Sequence, residues 1–368
     1  MFTTIIPTYE RKNLLSRAIR SALDQTHRDV RVAVYDNASS DGTEALVRAA
    51  AEADPRVAYY RHPQNIGGAA NIAFGMERVT TPFFSILCDD DVLLPRFYEI
   101  ALREFERFPA AMFVGASTLE ITGDGELVFA PAASWDRVGL LDSGEALRRM
   151  VGGKHPTMTN VAFRRELIDD VGTVDPQAGT LLDLDYYIRV CTKHPCAITR
   201  EVAGFFVRHP SAWSDSGPAA GAEFDRLIAK SAGTAWVVAT LAAQRDRRLV
   251  QLALRSLGRD DRPGAFAAAL ALGSHGDRAR AAGIIALTAI ARFAPALPWA
   301  IRQAYTLRLR MLGRQCVARL RRMGEHGAAD GFREELAYFK MLSASEAGAS
   351  ATQRGPATQE ATRSPPLR

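Results

Sequence analysis

Several features that would assign this chain to a common class are missing from its sequence. The 368 residues include four cysteines, Cys88, Cys191, Cys196 and Cys316, which form no C-x-x-C pair and no metal-ligand cluster. A disulfide scaffold or a structural zinc site is therefore not predicted, and a reduced cytoplasmic protein is the simplest expectation. The G-x-G-x-x-G fingerprint and the P-loop pattern are also absent, so neither of those nucleotide-binding folds is indicated.

Export and membrane-spanning segments are not predicted either. Residues 1–6 lead directly into an apolar strand, so we expect no signal peptide. Residues 281–301 are nearly all apolar, but they include Arg292, Pro295 and Pro298. Because a buried arginine and two prolines are costly in a bilayer, this stretch is a poor transmembrane candidate.

Charge is distributed unevenly along the chain. Residues 230–342 hold 19 Lys and Arg against 8 Asp and Glu, whereas residues 1–229 carry a formal charge of −7. This asymmetry indicates two modules with different partners. We predict an α/β domain over 1–225 and a basic helical domain over 226–342. Residues 343–368, rich in Ser, Ala, Thr, Gln and Pro, are predicted to be disordered.

Short apolar strands alternate with helices over the first hundred or so residues. The predicted strands cover 2–6, 30–35, 57–60, 83–87 and 112–121. This alternation is typical of a parallel sheet covered on both faces, with ligands bound beyond the carboxyl ends of the strands. Polar clusters follow three of these strands at residues 8–10, 36–37 and 89–91. The sequence therefore predicts one polar edge built from three strands.

Three adjacent aspartates, Asp89, Asp90 and Asp91, come directly after the fourth strand. Neighbouring carboxylates repel one another unless a cation joins them. A hard divalent cation with oxygen ligands suits this arrangement and commonly binds substrate phosphates as well. From the triplet alone, a solvated acidic turn that caps the next helix is an equally good interpretation.

Six sequence blocks occur together in a recognisable order. They are TTIIPTYERKNLLSRAIRSALDQTHRDVRVAVYDNASSDGT, RHPQNIGGAANIAFG, FFSILCDDDVLLP, NVAFRRELIDDVG, LLDLDYYIRV and VRHPSAWS. Their order and spacing over residues 2–215 resemble family 2 glycosyltransferases, which implies the GT-A fold, an α/β nucleotide-diphospho-sugar transferase fold.

The resemblance also implies roles for individual residues around a nucleotide-sugar donor. The donor-binding residues would be Pro7, Thr8, Tyr9, Glu10, Asp36, Asn65, Asp89 and Asp90. Asp91 and His209 would be ligands of Mn²⁺ or Mg²⁺. Many members carry D-x-D-D, and in that register Cys88 stands where the first aspartate would be. Asn65 precedes the doublet Gly67-Gly68. The glycines would let the backbone approach a ligand closely, but a tight turn at a helix start explains them equally well.

Two further sites come from the later blocks. Asp183 matches the position of the catalytic base that takes the proton from the acceptor hydroxyl. A helix N-cap is the alternative for Asp183, and Asp185 would lie on another face of the helix. His209 could equally be an ordinary packed histidine. Trp213 could stack on a sugar ring or belong to the core.

The resemblance therefore implies an inverting, metal-dependent glycosyltransferase of bacterial cell-envelope polysaccharide or glycolipid synthesis. Its partners would be a nucleotide-diphosphate sugar and a glycan or lipid-linked acceptor, with no nucleic acid. The arginine-rich helices allow peripheral contact with the inner face of the membrane, although a solvated helix face explains them too. The alternatives are a nucleotidyltransferase and a catalytically degenerate glycan-binding scaffold.

Overall fold

A computed structural model describes residues 1–209, 220–292, 294, 296–328 and 330–352, with the backbone alone at 220 and 345–352. The strands are β1 (Phe2–Thr8), β2 (Val30–Asp36), β3 (Val57–Arg61), β4 (Phe83–Ile86), β5 (Val92–Leu93), β6 (Phe113–Thr122), β7 (Leu127–Phe129), β8 (Gly139–Leu141), β9 (Val161–Arg164) and β10 (Cys196–Arg208). The α-helices are α1 (Lys12–Leu23), α2 (Thr43–Ala53), α3 (Gly68–Met76), α4 (Phe97–Arg107), α5 (Ser143–Val151), α6 (Glu166–Val171), α7 (Leu182–Lys193), α8 (Ala220–Lys230), α9 (Ala235–Gly258), α10 (Arg262–Ser274), α11 (Arg278–Ile290), α12 (Ala296–Arg322) and α13 (Arg333–Thr352).

The described strands form one mixed sheet in the order β3-β2-β1-β4-β9-β6-β10-β5, with β7 on β6 and β8 on β10. Strands β1 to β4 are mutually parallel, as the alternating pattern predicts, so the carboxyl ends of β1, β2 and β4 share one edge. Strand β1 runs two residues beyond its predicted end at Ile6 and includes Pro7. Its pairing with β4 ends at Ile5, so Pro7 needs no amide proton on that side.

The other half of the sheet brings β10 to the same edge. Antiparallel β9 joins β4 to β6, and β10 runs parallel to β6. The two-residue strand β5, just after the aspartates, pairs with β10 through Gly204. A Cβ at Gly204 would lie 2.4 Å from the carbonyl oxygen of Val92, so only glycine permits this close pairing.

The two faces of the sheet carry separate apolar cores. One core packs α1, α2 and α4 against the sheet, and the other packs α3, α5 and α7. The second core also contains Cys316 and Leu320 of α12 and Phe339 and Leu342 of α13. The basic C-terminal part therefore shares a core with the α/β part, although α9, α10 and α11 also form small cores of their own.

Two details differ from the predicted domain limits. Residue 225 lies inside α8, where Phe224 and Leu227 pack against Leu184 of α7. Helix α13 continues to Thr352, past the predicted start of the tail at residue 343, and buried Phe339 and Leu342 pack it on β10 and α1. Residues 353–368 lie outside the described part of the chain. Among the described helices, none is long and apolar enough to cross a membrane.

Candidate active site

The loops after β1 and β4 meet at the first of the three aspartates. Thr8, the last residue of β1, donates a hydrogen bond from its hydroxyl to Asp89 Oδ2 over 2.8 Å. Arg11, in the loop after β1, lies 3.1 Å from Asp89 Oδ1 and 2.9 Å from Asp90 Oδ2. Arg11 therefore pairs with two buried carboxylates at this edge of the sheet, where the sequence predicts that polar residues from several strand ends meet.

Asp90 faces His209, which directly follows β10. The distance from His209 Nε2 to Asp90 Oδ2 is 2.8 Å, and both side chains are largely buried. The backbone carbonyl of Asp90 accepts a 2.9 Å hydrogen bond from the buried guanidinium of Arg17 in α1. Asp90 and His209, which are 119 positions apart, are thus brought together, and the hydrogen bond from Arg17 fixes the aspartate turn to α1.

Asp91 points into the protein. Its Oδ2 accepts a 2.5 Å hydrogen bond from the Thr159 hydroxyl, and its Oδ1 accepts one of 3.0 Å from the Val207 amide of β10. Its exposed fraction is 1%. These contacts fix the aspartate turn against β10, and the role of Asp91 as a metal ligand stays a prediction.

Burial and mutual repulsion disfavour the ionised forms of Asp89 and Asp91. Burial raises the pKa of Asp89 to about 6, with repulsion from Asp90 adding to the effect and Arg11 opposing it. Burial, followed by repulsion from Asp90, also raises the pKa of Asp91. An additional positive charge at this turn would therefore stabilise the ionised carboxylates.

Cys88 occupies the position of the first aspartate of D-x-D-D. Ligand atoms of Cys88, Asp90 and Asp91 all lie within 4.8 Å of one another. Burial and the three neighbouring carboxylates raise the pKa of the Cys88 thiol. A neutral thiol is a poor ligand for a hard cation, so Cys88 is a weaker candidate than the carboxylates.

Asp36 lies at the end of β2 and has no exposed surface. Its Oδ1 accepts a 2.8 Å hydrogen bond from the Ser39 amide, and its Oδ2 accepts one of 2.6 Å from the Tyr59 hydroxyl. Arg61 lies 3.6 Å from the same carboxylate. Direct contact between Asp36 and a donor nucleotide therefore requires Tyr59 or Ser39 to move.

The remaining predicted donor residues line the loops between β1, β2 and β3. Half-buried Pro7 and 46%-exposed Tyr9 lie at the end of β1 and in the following loop. Glu10, at a positive φ of 54°, accepts hydrogen bonds from the Ser40 amide and hydroxyl. Exposed Asn65 accepts 2.8 Å hydrogen bonds from the Asn37 side chain and the Gly67 amide. These contacts tie the three loops into one polar rim.

Asp183 and Asp185 have different surroundings on α7. Asp183 is half-buried in the first turn, two residues beyond the N-cap Leu181, so it is not the N-cap residue of this helix. Burial, followed by repulsion from Asp183, raises the pKa of the buried Tyr187 hydroxyl on the same helix. Asp185 is buried and pairs with Arg189 at 2.9 Å and Lys230 at 3.0 Å, as expected for a structural role.

Sequence reasoning did not assign roles to three residues that hold the site, namely Arg11, Arg17 and Thr159. Arg11 and Arg17 both lie inside the first recognised block, so their positions were usable signals. Nothing in the local pattern marks Thr159, because its partner lies 68 positions away. The predicted sugar-stacking residue Trp213 lies outside the described residues.

Comparison with known proteins shows which family the part of the chain that carries this site matches. The family model for glycosyl transferase family 2 matches residues 3–172. A GalNAc(5)-diNAcBac-PP-undecaprenol beta-1,3-glucosyltransferase of Campylobacter jejuni is 35% identical over 25% of this chain and 30% of its own length. Chondroitin synthase of Pasteurella multocida is 29% identical over 33% of this chain and 13% of its own length. The alignments thus cover well under two thirds of these relatives.

Solved structures show the same fold across the length of the chain. TarS 1–349 of S. aureus, crystallised with UDP-GlcNAc, aligns with a TM-score of 0.57 over 88% of this chain and 92% of its own, at 13% identity. The mannosyltransferase PcManGT of Pyrobaculum calidifontis, crystallised with GDP-Man and Mn²⁺, gives 0.52 over 85% and 86%, at 19% identity. The chain has the GT-A fold, and residues 3–172 of its α/β part match the model of glycosyl transferase family 2.

Proposed function

We propose that this protein transfers a sugar from a nucleotide-diphosphate sugar to an acceptor hydroxyl, with the donor diphosphate and a divalent cation held at the aspartate turn. The observation that carries the proposal is the approach of His209 Nε2 to Asp90 Oδ2 at 2.8 Å, beside Arg11. The family membership and the nucleotide-sugar complexes of the structural neighbours support it.

Asp90 and His209 fit a divalent cation. His209 Nε2 and Asp90 Oδ2 face each other at 2.8 Å, so both atoms would hold one divalent cation if it replaced the hydrogen bond between them. Of the two predicted ions, an imidazole ligand favours Mn²⁺ over Mg²⁺, because Mg²⁺ prefers oxygen ligands. We assign the ligand roles to Asp90 and His209, and to Asp91 the role of positioning the turn.

The protein's own groups would supply the rest of the donor site. Arg11 neutralises Asp89 and Asp90 and would also face a bound diphosphate. The bound cation would absorb the charge that develops on the leaving diphosphate. The loops carrying Tyr9, Glu10 and Asn65 form the rim on which the nucleoside would rest, with buried Asp36 holding that rim through Ser39 and Tyr59.

Asp183 is the candidate base for the acceptor. Its carboxylate would accept the proton of the acceptor hydroxyl as that oxygen attacks the anomeric carbon and the bond to the diphosphate breaks. A single displacement of this kind inverts the anomeric configuration. The half-buried position of Asp183 in the first turn of α7 and its place in the LLDLDYYIRV block support this role.

The relatives support an acceptor that is a glycan or a lipid-linked glycan. The Campylobacter jejuni enzyme is named for a polyprenyl-diphosphate-linked acceptor, and the Pasteurella multocida enzyme for a polysaccharide. We accordingly propose a role in surface polysaccharide or glycolipid synthesis. No observation favours a nucleotidyltransferase, and the approach of His209 to Asp90 argues against a degenerate scaffold.

The direct test is release of nucleoside diphosphate from a panel of nucleotide sugars, with Mn²⁺, Mg²⁺ or chelator, in the wild type and in Asp90→Asn. We expect turnover of at least one donor that chelator abolishes and that Asp90→Asn reduces on the order of a hundredfold. Glu52→Gln, an exposed acidic side chain of α2, is the matched control and should turn over normally. Equal turnover in Asp90→Asn would overturn the assignment.

A further inference from the structure

Helix α12 has an unusual composition for a helix packed on a folded domain. Its 27 residues contain seven arginines and no acidic residue. Its inner face is used by the protein, because Cys316 and Leu320 are buried in the main core and Leu297 and Ile301 pack near Leu257 of α9. The outward face therefore does not need to be apolar to keep the helix in place.

The outward face is nonetheless partly apolar. Trp299, Leu307 and Met311 have exposed fractions of 63%, 60% and 52%. At 100° per residue these three side chains fall within an arc of roughly 120°. Large exposed apolar side chains grouped on one helix face mark an interaction surface more often than scattered ones do.

Arginines surround these apolar side chains. By the same helical geometry, Arg310 and Arg314 fall inside the arc and Arg308 lies about 60° beyond Met311. All three are exposed, and Arg310 forms an ion pair with Glu126 at 3.2 Å. We call the six residues Trp299, Leu307, Arg308, Arg310, Met311 and Arg314 the α12 outer face.

We propose that the α12 outer face binds the surface of an anionic phospholipid bilayer. Apolar side chains flanked by arginines on one side of a helix match a boundary where acyl chains lie beneath negatively charged headgroups. Tryptophan at the edge of such a face suits the headgroup level. Charge complementarity favours this partner over a second copy of the chain, since two copies would bring arginine against arginine. The proposal does not depend on the donor site.

Co-sedimentation of the full chain with vesicles tests the proposal. The vesicles are phosphatidylcholine alone or an equal mixture of phosphatidylcholine and phosphatidylglycerol. We expect binding to the anionic vesicles only, weakening as salt rises. The double variant Arg308→Glu/Arg314→Glu should bind at least tenfold more weakly, because each reversal replaces an attractive charge near the membrane with a repulsive one.

Two variants separate this surface from net charge and from misfolding. Arg48→Glu/Arg96→Glu makes the same charge change on exposed side chains of the α/β part and should bind like the wild type. Leu307→Ser/Met311→Ser keeps the charge and should weaken binding, because it removes apolar side chains that would enter the bilayer. Circular dichroism melting of each variant checks that it is folded.

Three results would overturn the proposal. The first is no sedimentation with anionic vesicles, and the second is equal loss of binding in the α12 and control charge variants. The third is a concentration-dependent dimer of the wild type that Leu307→Ser/Met311→Ser abolishes, which would make the surface an interface between copies. Nucleotide-sugar turnover measured without vesicles should be unchanged in all of these variants, so failure here is distinguishable from failure of the proposed transferase activity.

Discussion

The guanidinium of Arg17 donates a 2.9 Å hydrogen bond to the backbone carbonyl of Asp90, so helix α1 holds the aspartate turn from behind. Arg17 is itself covered by α13: its guanidinium carbon lies 4.9 Å from the centre of the Phe339 ring, and it contacts Ser343 at 3.3 Å. The C-terminal helix, outside the family match, thereby supports the donor site of the α/β part.

Replacing Arg17 with methionine should therefore weaken binding of the nucleotide sugar, because the aspartate turn would shift. The Asp90 carbonyl would lose its buried donor, at a cost of about 1–3 kcal/mol. We expect the KM for the nucleotide sugar and the Mn²⁺ requirement to rise roughly tenfold or more, with a smaller change in kcat. Steady-state kinetics over a range of donor and Mn²⁺ concentrations measure both effects.

Arg20→Met is the matched control for this prediction. Arg20 lies one turn further along α1 and donates a 2.8 Å hydrogen bond to the Leu342 carbonyl of α13, rather than to the aspartate turn. Both variants weaken the contact between α1 and α13. If Arg20→Met raises the donor KM as much as Arg17→Met does, the effect comes from docking of α13 and the positioning role of Arg17 is wrong.

His209→Ala should change the metal dependence of turnover more than the stability of the fold. Its side chain is a proposed ligand, and loss of one ligand should raise the Mn²⁺ concentration needed for half-maximal turnover on the order of 10–100-fold. Titration of Mn²⁺ in the turnover assay measures this change, with thermal melting as the check on folding. An unchanged Mn²⁺ requirement would leave His209 as a packing partner of Asp90.

Asp183→Asn should remove the proton acceptor and keep the shape of the side chain. We expect kcat for sugar transfer to fall about 10²- to 10⁴-fold, with donor binding nearly unchanged. Asp185→Asn serves as a contrast, because Asp185 pairs with Arg189 and Lys230 and its loss should lower stability first. Near-normal transfer by Asp183→Asn would exclude it as the base.

Gly204→Ala tests the packing that brings β10 to the aspartate turn. A Cβ there would lie 2.4 Å from the Val92 carbonyl and 2.5 Å from Asn160 Oδ1, so the strands must separate. We expect a loss of about 1–3 kcal/mol in the free energy of unfolding, measured in urea. Gly233→Ala, where no atom lies within 4 Å of the added Cβ, should change stability far less.

The sequence predicts the parallel sheet and its polar edge because both depend on local patterns. Apolar strands, short links and polar residues at strand ends are visible within a few residues, and the recognised blocks supply the family. The partner of His209 could not be predicted this way. Whether it faces Asp90 or Asp91 depends on how the turn is held by Thr159 and the Val207 amide, which come from distant segments.

The location of the basic helices was also beyond the sequence. Composition indicates a separate arginine-rich module, yet Phe339 and Leu342 belong to the core beneath the donor site. Apolar side chains on a helix predict that a face is buried, but they do not say against which surface. The same limit explains why Arg17, which reads as an exposed residue of an amphipathic helix, has an exposed fraction of only 3%.

Isothermal titration calorimetry of nucleoside diphosphates, with and without Mn²⁺, tests the central claim most directly. We predict that one nucleoside diphosphate binds the wild type in the presence of Mn²⁺. Chelator or Asp90→Asn should weaken this binding on the order of a hundredfold, whereas Glu52→Gln should not change it. Binding that is equally strong without Mn²⁺ and in Asp90→Asn would contradict a metal–diphosphate site at Asp90 and His209.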